Sequence, residues 1–86
     1  MSDAILHVLE VEVIRDFTLR VEFNDGTVKV VDVKPLLTGP VFEPLHDPAF
    51  FARVTIDPVA QTVVWPNGAD LAPEALHELE SLEGAA

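Results

Sequence analysis

Hydrophobic and polar positions alternate with a period of two through the first third of the chain. Leu9, Val11 and Val13 alternate with Glu10 and Glu12, and Phe17, Leu19, Val21 and Phe23 alternate with Thr18, Arg20 and Glu22. Both runs read as half-buried strands. Asp25-Gly26 then offers a two-residue hairpin loop into Thr27-Val28-Lys29-Val30-Val31-Asp32. Counting back from a loop of that length pairs Asn24 with Thr27, Phe23 with Val28, Glu22 with Lys29, Val21 with Val30, Arg20 with Val31 and Leu19 with Asp32. Glu22 and Lys29 would face each other on the outer side, a favourable cross-strand pair. The same count sets Asp32 on the apolar face, where a bare carboxylate needs a cap, a partner or a rim position. A turn of helix starting near Lys34 supplies N–H groups for it to accept.

Later segments break this period. Thr38-Gly39-Pro40 reads as a loop, Phe42, Leu45, Phe50 and Phe51 add apolar bulk, and Asp47-Pro48 reads as the N-cap and first residue of a short helix. Arg53–Asp57 and Thr62–Trp65 predict a second hairpin across Pro58-Val59-Ala60-Gln61, with Val54 and Ile56 on one face with Val63 and Trp65. Trp65-Pro66-Asn67-Gly68 then demands burial for an aromatic and a turn with positive φ. From Pro73 to about Glu83, Leu71, Ala72, Ala75, Leu76, Leu79 and Leu82 make an apolar stripe opposite Glu74, His77, Glu78, Glu80 and Ser81. That spacing predicts an amphipathic docking helix.

A chain of 86 residues supports one domain with a small core, spanning residues 1–86 with its ordered part at about 5–82. Fifteen Asp and Glu stand against five Lys and Arg, a net charge of -10. Phosphate backbones would repel such a surface, so direct nucleic-acid binding is not expected, and a basic protein is the natural complement. All the permanent cations, Arg15, Arg20, Lys29, Lys34 and Arg53, precede Val54. Cysteine is absent, which removes disulfides and thiolate sites and suits a reducing compartment. No apolar run approaches the roughly 18 residues of a membrane span. The start, Met1-Ser2-Asp3-Ala4, lacks a basic signal-like region. The expected location is the cytoplasm.

The same order of motifs resembles a known family. Phe23-Asn-Asp-Gly26, Asp32-Val-Lys-Pro-Leu-Leu37, Val41-Phe-Glu-Pro-Leu45, Asp47-Pro-Ala-Phe-Phe51 and Val64-Trp-Pro-Asn-Gly-Ala-Asp70 resemble the small bacterial family catalogued as domain of unknown function 2442. The resemblance implies a compact α+β domain of antiparallel strands and short helices, and it brings no established activity. Some relatives look fused to a helix-turn-helix, and others look like neighbours of small proteins in toxin-antitoxin pairs, which implies regulation through a protein partner. The sequence stops soon after Leu82, so no helix-turn-helix is expected here. Ala72 stands where such sequences often place a better helix cap such as Ser.

Catalytic chemistry finds little support. His7 falls in phase with Leu9 and Val11, His46 precedes the Asp47 cap, and His77 sits three residues from Glu74 among surface glutamates. None has a partner by spacing, and a metal site of the Glu-x-x-His kind needs a second such helix. Ser2 and Ser81 lie away from any nucleophile elbow, and Gly26, Gly39, Gly68 and Gly84 form no phosphate-cradling loop. No catalytic residue and no cofactor is expected.

Two readings of different class follow. The first is a non-enzymatic, acidic protein-interaction module, antitoxin-like or regulatory, that binds a basic protein through the C-terminal helix or a strand edge. Glu74 and Glu78 are like charges four apart, and Glu80 and Glu83 fall near the negative end of the predicted helix, arrangements unfavourable by up to about 1 kcal/mol each. Such local conflict marks a binding face. The second is a small-ligand or divalent-cation site built on the loop from Trp65 through Asn67 and Gly68 to Asp70, with Asp32 or Asp57 nearby. A homodimer through an edge strand fits either. The expected architecture is α+β, a small two-layer domain of antiparallel hairpins with about five strands, a short middle helix and the C-terminal amphipathic helix.

Overall fold

The hairpin at Gly26 fixes the main sheet, and it turns differently from the two-residue loop expected. In the computed structural model, which describes residues 5–82, the Gly26 N–H donates to the Phe23 carbonyl at 3.1 Å and the Phe23 N–H donates to the Thr27 carbonyl at 2.9 Å. Gly26 has φ of +91°. Asn24, Asp25 and Gly26 thus form a three-residue loop closed by a glycine bulge. The extra loop residue is Asn24, whose Oδ1 accepts the His7 N–H and whose Nδ2 donates to the Ile5 carbonyl, both at 2.8 Å. Those bonds tie it to the preceding segment instead of to Thr27.

The register consequently moves by one residue. β2 (Thr18–Phe23) and β3 (Val28–Asp32) pair antiparallel with Leu19 facing Val31, Val21 facing Lys29, Glu22 facing Val28 and Thr18 facing Asp32. A one-residue slip carries each side chain of the strand to the opposite face. The expected Glu22–Lys29 pair is therefore absent, and Asp32 is exposed on the outer face. Its Oδ1 still accepts the Lys34 N–H at 2.9 Å, opening a 3-10 turn over Lys34–Leu36. Lys29 instead reaches the inner rim.

β1 (Val8–Arg15) completes the sheet in the order β1-β2-β3. Two bulges bracket it, because Val8 faces Phe23 while Glu10 faces Glu22, and Val13 faces Leu19 while Arg15 faces Thr18. Leu9 and Ile14 are the supernumerary residues. The first bulge brings Val8 into the core with Leu19, Val21 and Phe23, while Leu9, expected inside, is 53 % exposed. Strict alternation failed there because a bulge inserts one residue into the period.

A 3-10 segment over Pro40–His46 and α1 (Pro48–Phe51) follow, and the Asp47 Oδ1 caps α1 by accepting the Ala49 N–H at 3.1 Å. β4 (Thr55–Asp57) and β5 (Thr62–Val64) form a second antiparallel sheet in which Ile56 faces Val63. The two sheets meet at one end of β1, where the Val8 N–H donates to the Gln61 carbonyl at 3.0 Å. One core joins them: Phe23, Val31 and Val33 from the first sheet region pack in the same cluster as Leu45, Phe51, Val63, Trp65 and Leu76.

α2 covers only Pro73–Glu78, with Leu79 already extended at ψ 148°, so the predicted helix is about half its expected length. Its predicted end at Glu83, like Ser2 and Gly84, lies outside the described residues. The Lys29 ammonium donates to the carbonyls of His77 and Leu79, which satisfies the helix end. Beyond it the chain lies along β3, with the Val30 N–H donating to Ser81 Oγ at 3.3 Å and the Leu82 N–H donating to the Val30 carbonyl at 2.6 Å. Leu76, Leu79 and Leu82 are spaced for a helix, but the free edge of β3 offers the segment backbone bonds that end it.

Candidate functional site

The loop that carries the tryptophan repeats the turn at Gly26. The Gly68 N–H donates to the Trp65 carbonyl and the Trp65 N–H donates to the Ala69 carbonyl, both at 2.9 Å, with Gly68 at φ +90°. Asn67 braces the turn on both sides: its Oδ1 accepts the Ala69 N–H at 3.1 Å, and its Nδ2 donates to the Val41 carbonyl at 2.9 Å. The Trp65 ring is buried, and its Nε1 donates to the Phe51 carbonyl at 2.8 Å. Trp65 Nε1, Asn67 Nδ2 and the Gly68 N–H thus each make a bond within the fold.

Open space surrounds the position where a Cβ on Gly68 would stand, so only the backbone resists a side chain there. Gly68→Ala is expected to lose about 1–2 kcal/mol through the positive φ alone, read as a lower urea midpoint at unchanged m. An unaltered midpoint would show that the loop relaxes to another turn at no cost.

Asp70 pairs across to Val64 at the end of this loop, exposed. Among the described residues its carboxylate accepts no hydrogen bond, and the Ala69 N–H of this turn goes to Asn67 Oδ1. Asp57 accepts the Val59 N–H within its own turn at 2.9 Å, and Asp32 lies in the other sheet. No group of three His, Cys, Asp or Glu among the described residues could hold a metal ion. The acids expected to converge do not form such a centre.

Glu74 and Glu78 are exposed on α2, and Glu80 is exposed on the extended segment after it. Because α2 stops at Glu78, that residue holds the last helical position and Glu80, expected inside the helix, lies beyond its cap. The histidines divide differently from expectation. His7 is engaged through its backbone with Asn24, and the His46 Nε2 lies 2.9 Å from the Leu37 carbonyl. His77, expected to be solvated, packs edge-on against Phe23 with centroids 4.8 Å apart, and its Nε2 lies 3.0 Å from the Asp25 Oδ2. The contacts of Asp25 and Lys29 are the ones that sequence reasoning missed; both depend on the loop length that set the register.

The Thr27 backbone N–H, which Asp25 Oδ1 accepts at 2.9 Å, holds the Asp25 carboxyl below its usual range. The Thr27 side chain adds to that pull, desolvation opposes it, and His77 adds a lesser pull. A carboxyl whose folded pKa is depressed contributes stability above its unfolded value, and that contribution is lost as pH falls through the folded value. The thermal midpoint is expected to fall on acidification below about pH 4, the ordinary carboxylate range. Asp25→Asn should flatten that part of the profile; superimposable profiles for the two proteins would remove Asp25 from it.

Charge is the remaining feature of the surface. Three of the five cations are occupied within the fold: Lys29 at the end of α2, Lys34 at 5.5 Å over the Phe17 ring and Arg53 at 5.9 Å over the Phe50 ring. The one ion pair among the described residues is His77–Asp25. Glu10, Glu12, Asp16, Glu43, Asp70, Glu74, Glu78 and Glu80 are exposed and belong to no ion pair there. No helix of the described residues is long and apolar enough to cross a membrane.

A family model described as a protein of unknown function (DUF2442) matches residues 8–80. No curated protein and no solved structure matches the chain.

Proposed function

The chain belongs to the DUF2442 family of unknown function, and from that premise we propose that it is a non-catalytic interaction module whose acidic surface engages a basic protein. The observation that carries the reading is the uncompensated charge. A net charge of -10 is joined to a fold that turns Lys29, Lys34 and Arg53 toward its own carbonyls and rings. A field of one sign steers a complementary partner and repels the wrong ones.

The test is capture of binding proteins from the native host at low and moderate salt, beside a variant carrying Glu74→Gln, Glu78→Gln and Glu80→Gln. The expected result is one basic protein, released as salt rises and held less well by the variant. Binders that are acidic or indifferent to salt would sink the reading.

A further inference from the structure

Resting on that reading, we infer that the outer edge of β1, at Val11 and Val13, receives an added strand of the partner in which basic and apolar residues alternate. The direction of the backbone groups follows from the register. The Phe23 N–H donates to the Thr27 carbonyl on the β3 side, and the Val33 N–H donates to the Phe17 carbonyl, so odd-numbered residues of β2 face β3 and even-numbered ones face β1. Glu10 and Glu12, opposite Glu22 and Arg20, therefore bond to β2, while Val11 and Val13, opposite Val21 and Leu19, point away. Val8, opposite Phe23, also points away, as its bond to the Gln61 carbonyl requires.

Beyond Val8, no outward backbone group of β1 has a partner among the described residues. The other edge of this sheet is different, because Ser81 and Leu82 cover it at Val30. An open strand edge is a template for another strand. The bulges at Leu9 and Ile14 limit the template to the stretch between them.

Charge then selects the occupant. Glu10 and Glu12 stand exposed on the outer face beside the edge, and Glu10 already faces Glu22 across β2, a like-charge pair that a neighbouring cation relieves. Residues of an added strand opposite Glu10 and Glu12 share that face, and those opposite Val11 and Val13 share the inner one. A second copy fits poorly: antiparallel pairing about Glu12 sets that residue against itself, and pairing about Val11 sets Glu10 against Glu12.

The probe is a blocked peptide, Thr-Lys-Val-Lys-Val-Lys-Thr, compared with one of the same composition whose lysines are consecutive. Amide exchange of the full chain is followed by NMR at about 0.01 M ionic strength, where screening is weak. The alternating peptide is expected to slow exchange at Val11 and Val13 by about tenfold or more, with little change at Glu10 and Glu12, and the consecutive-lysine peptide to do neither. Val11→Pro, which removes an outward N–H and no bond to β2, and the double change Glu10→Lys with Glu12→Lys should each abolish the protection. Shifts confined to Glu74, Glu78 and Glu80 would overturn the edge inference and leave the basic-partner reading standing. Failure of both peptides to bind would count against both, and protection that grows with protein concentration alone would make a second copy the occupant.

Discussion

Trp65→Ala is expected to leave the chain unfolded, or nearly so, at 25 °C. The indole is 2 % exposed, packs with its centroid 5.7 Å from that of Phe51, and donates to the Phe51 carbonyl. Truncating a large buried aromatic costs about 3–5 kcal/mol. Orphaning the carbonyl adds about 1–3 kcal/mol. A domain of this size has only about 4–13 kcal/mol in total, at the usual stability per residue. Trp65→Phe separates the two effects, since it keeps a ring and loses the donor, and it should be intermediate. Urea unfolding followed by far-UV circular dichroism reads both variants. An alanine variant within about 1 kcal/mol of the parent, the centre of ordinary single substitutions, would place the indole outside the structural core.

Trp65 was legible in the sequence because two local demands agreed on it: a strand of apolar residues led into it, and Pro66-Asn67-Gly68 supplied a turn. The hairpin at Gly26 has the same bonding pattern, yet Asp25-Gly26 alone reads as a two-residue loop. What decided its length was Asn24, whose side chain bonds to Ile5 and His7, contacts seventeen and nineteen residues away that no local pattern displays. One physical warning was present. The shorter loop forced Asp32 onto the apolar face, a costly position for a carboxylate, and the register that relieves it is the one the structure adopts.

The rest of the site was hidden for the same reason. Uncompensated charge was legible as a total, but which cations remain free depends on Lys29, Lys34 and Arg53 finding carbonyls and rings in three dimensions. The open edge of β1 was equally hidden, because strand order is not a property of any one strand. Segments read alone gave elements of the right type at Thr18–Phe23, Pro48–Phe51 and Thr62–Val64. At Leu79–Leu82 the helical period gave way to backbone pairing with Val30, a tertiary override of local preference.

Lys29→Met is expected to lower stability by about 2–4 kcal/mol, since hydrogen bonds made by a charged donor are each worth about 1.5–3 kcal/mol and two that share one ammonium do not add fully. Methionine keeps the apolar stem and removes the charge, so the loss reports the ammonium and not the packing along its side. The carbonyls of His77 and Leu79 are the groups left without it. Because α2 has only six residues, it cannot persist on its own propensity; Leu76 anchors it in the core and Lys29 ties its end to the sheet. Amide exchange at Leu76 and Leu79 should therefore accelerate more than at Leu19 or Val21, whose sheet does not depend on that contact. Unchanged exchange in α2, with a stability loss under about 0.5 kcal/mol as for an ordinary surface change, would show that water caps the helix as well as the ammonium does. The wider loss would instead tie the length of α2 to the register of β3: Lys29 reaches those carbonyls only because the three-residue loop turned it inward.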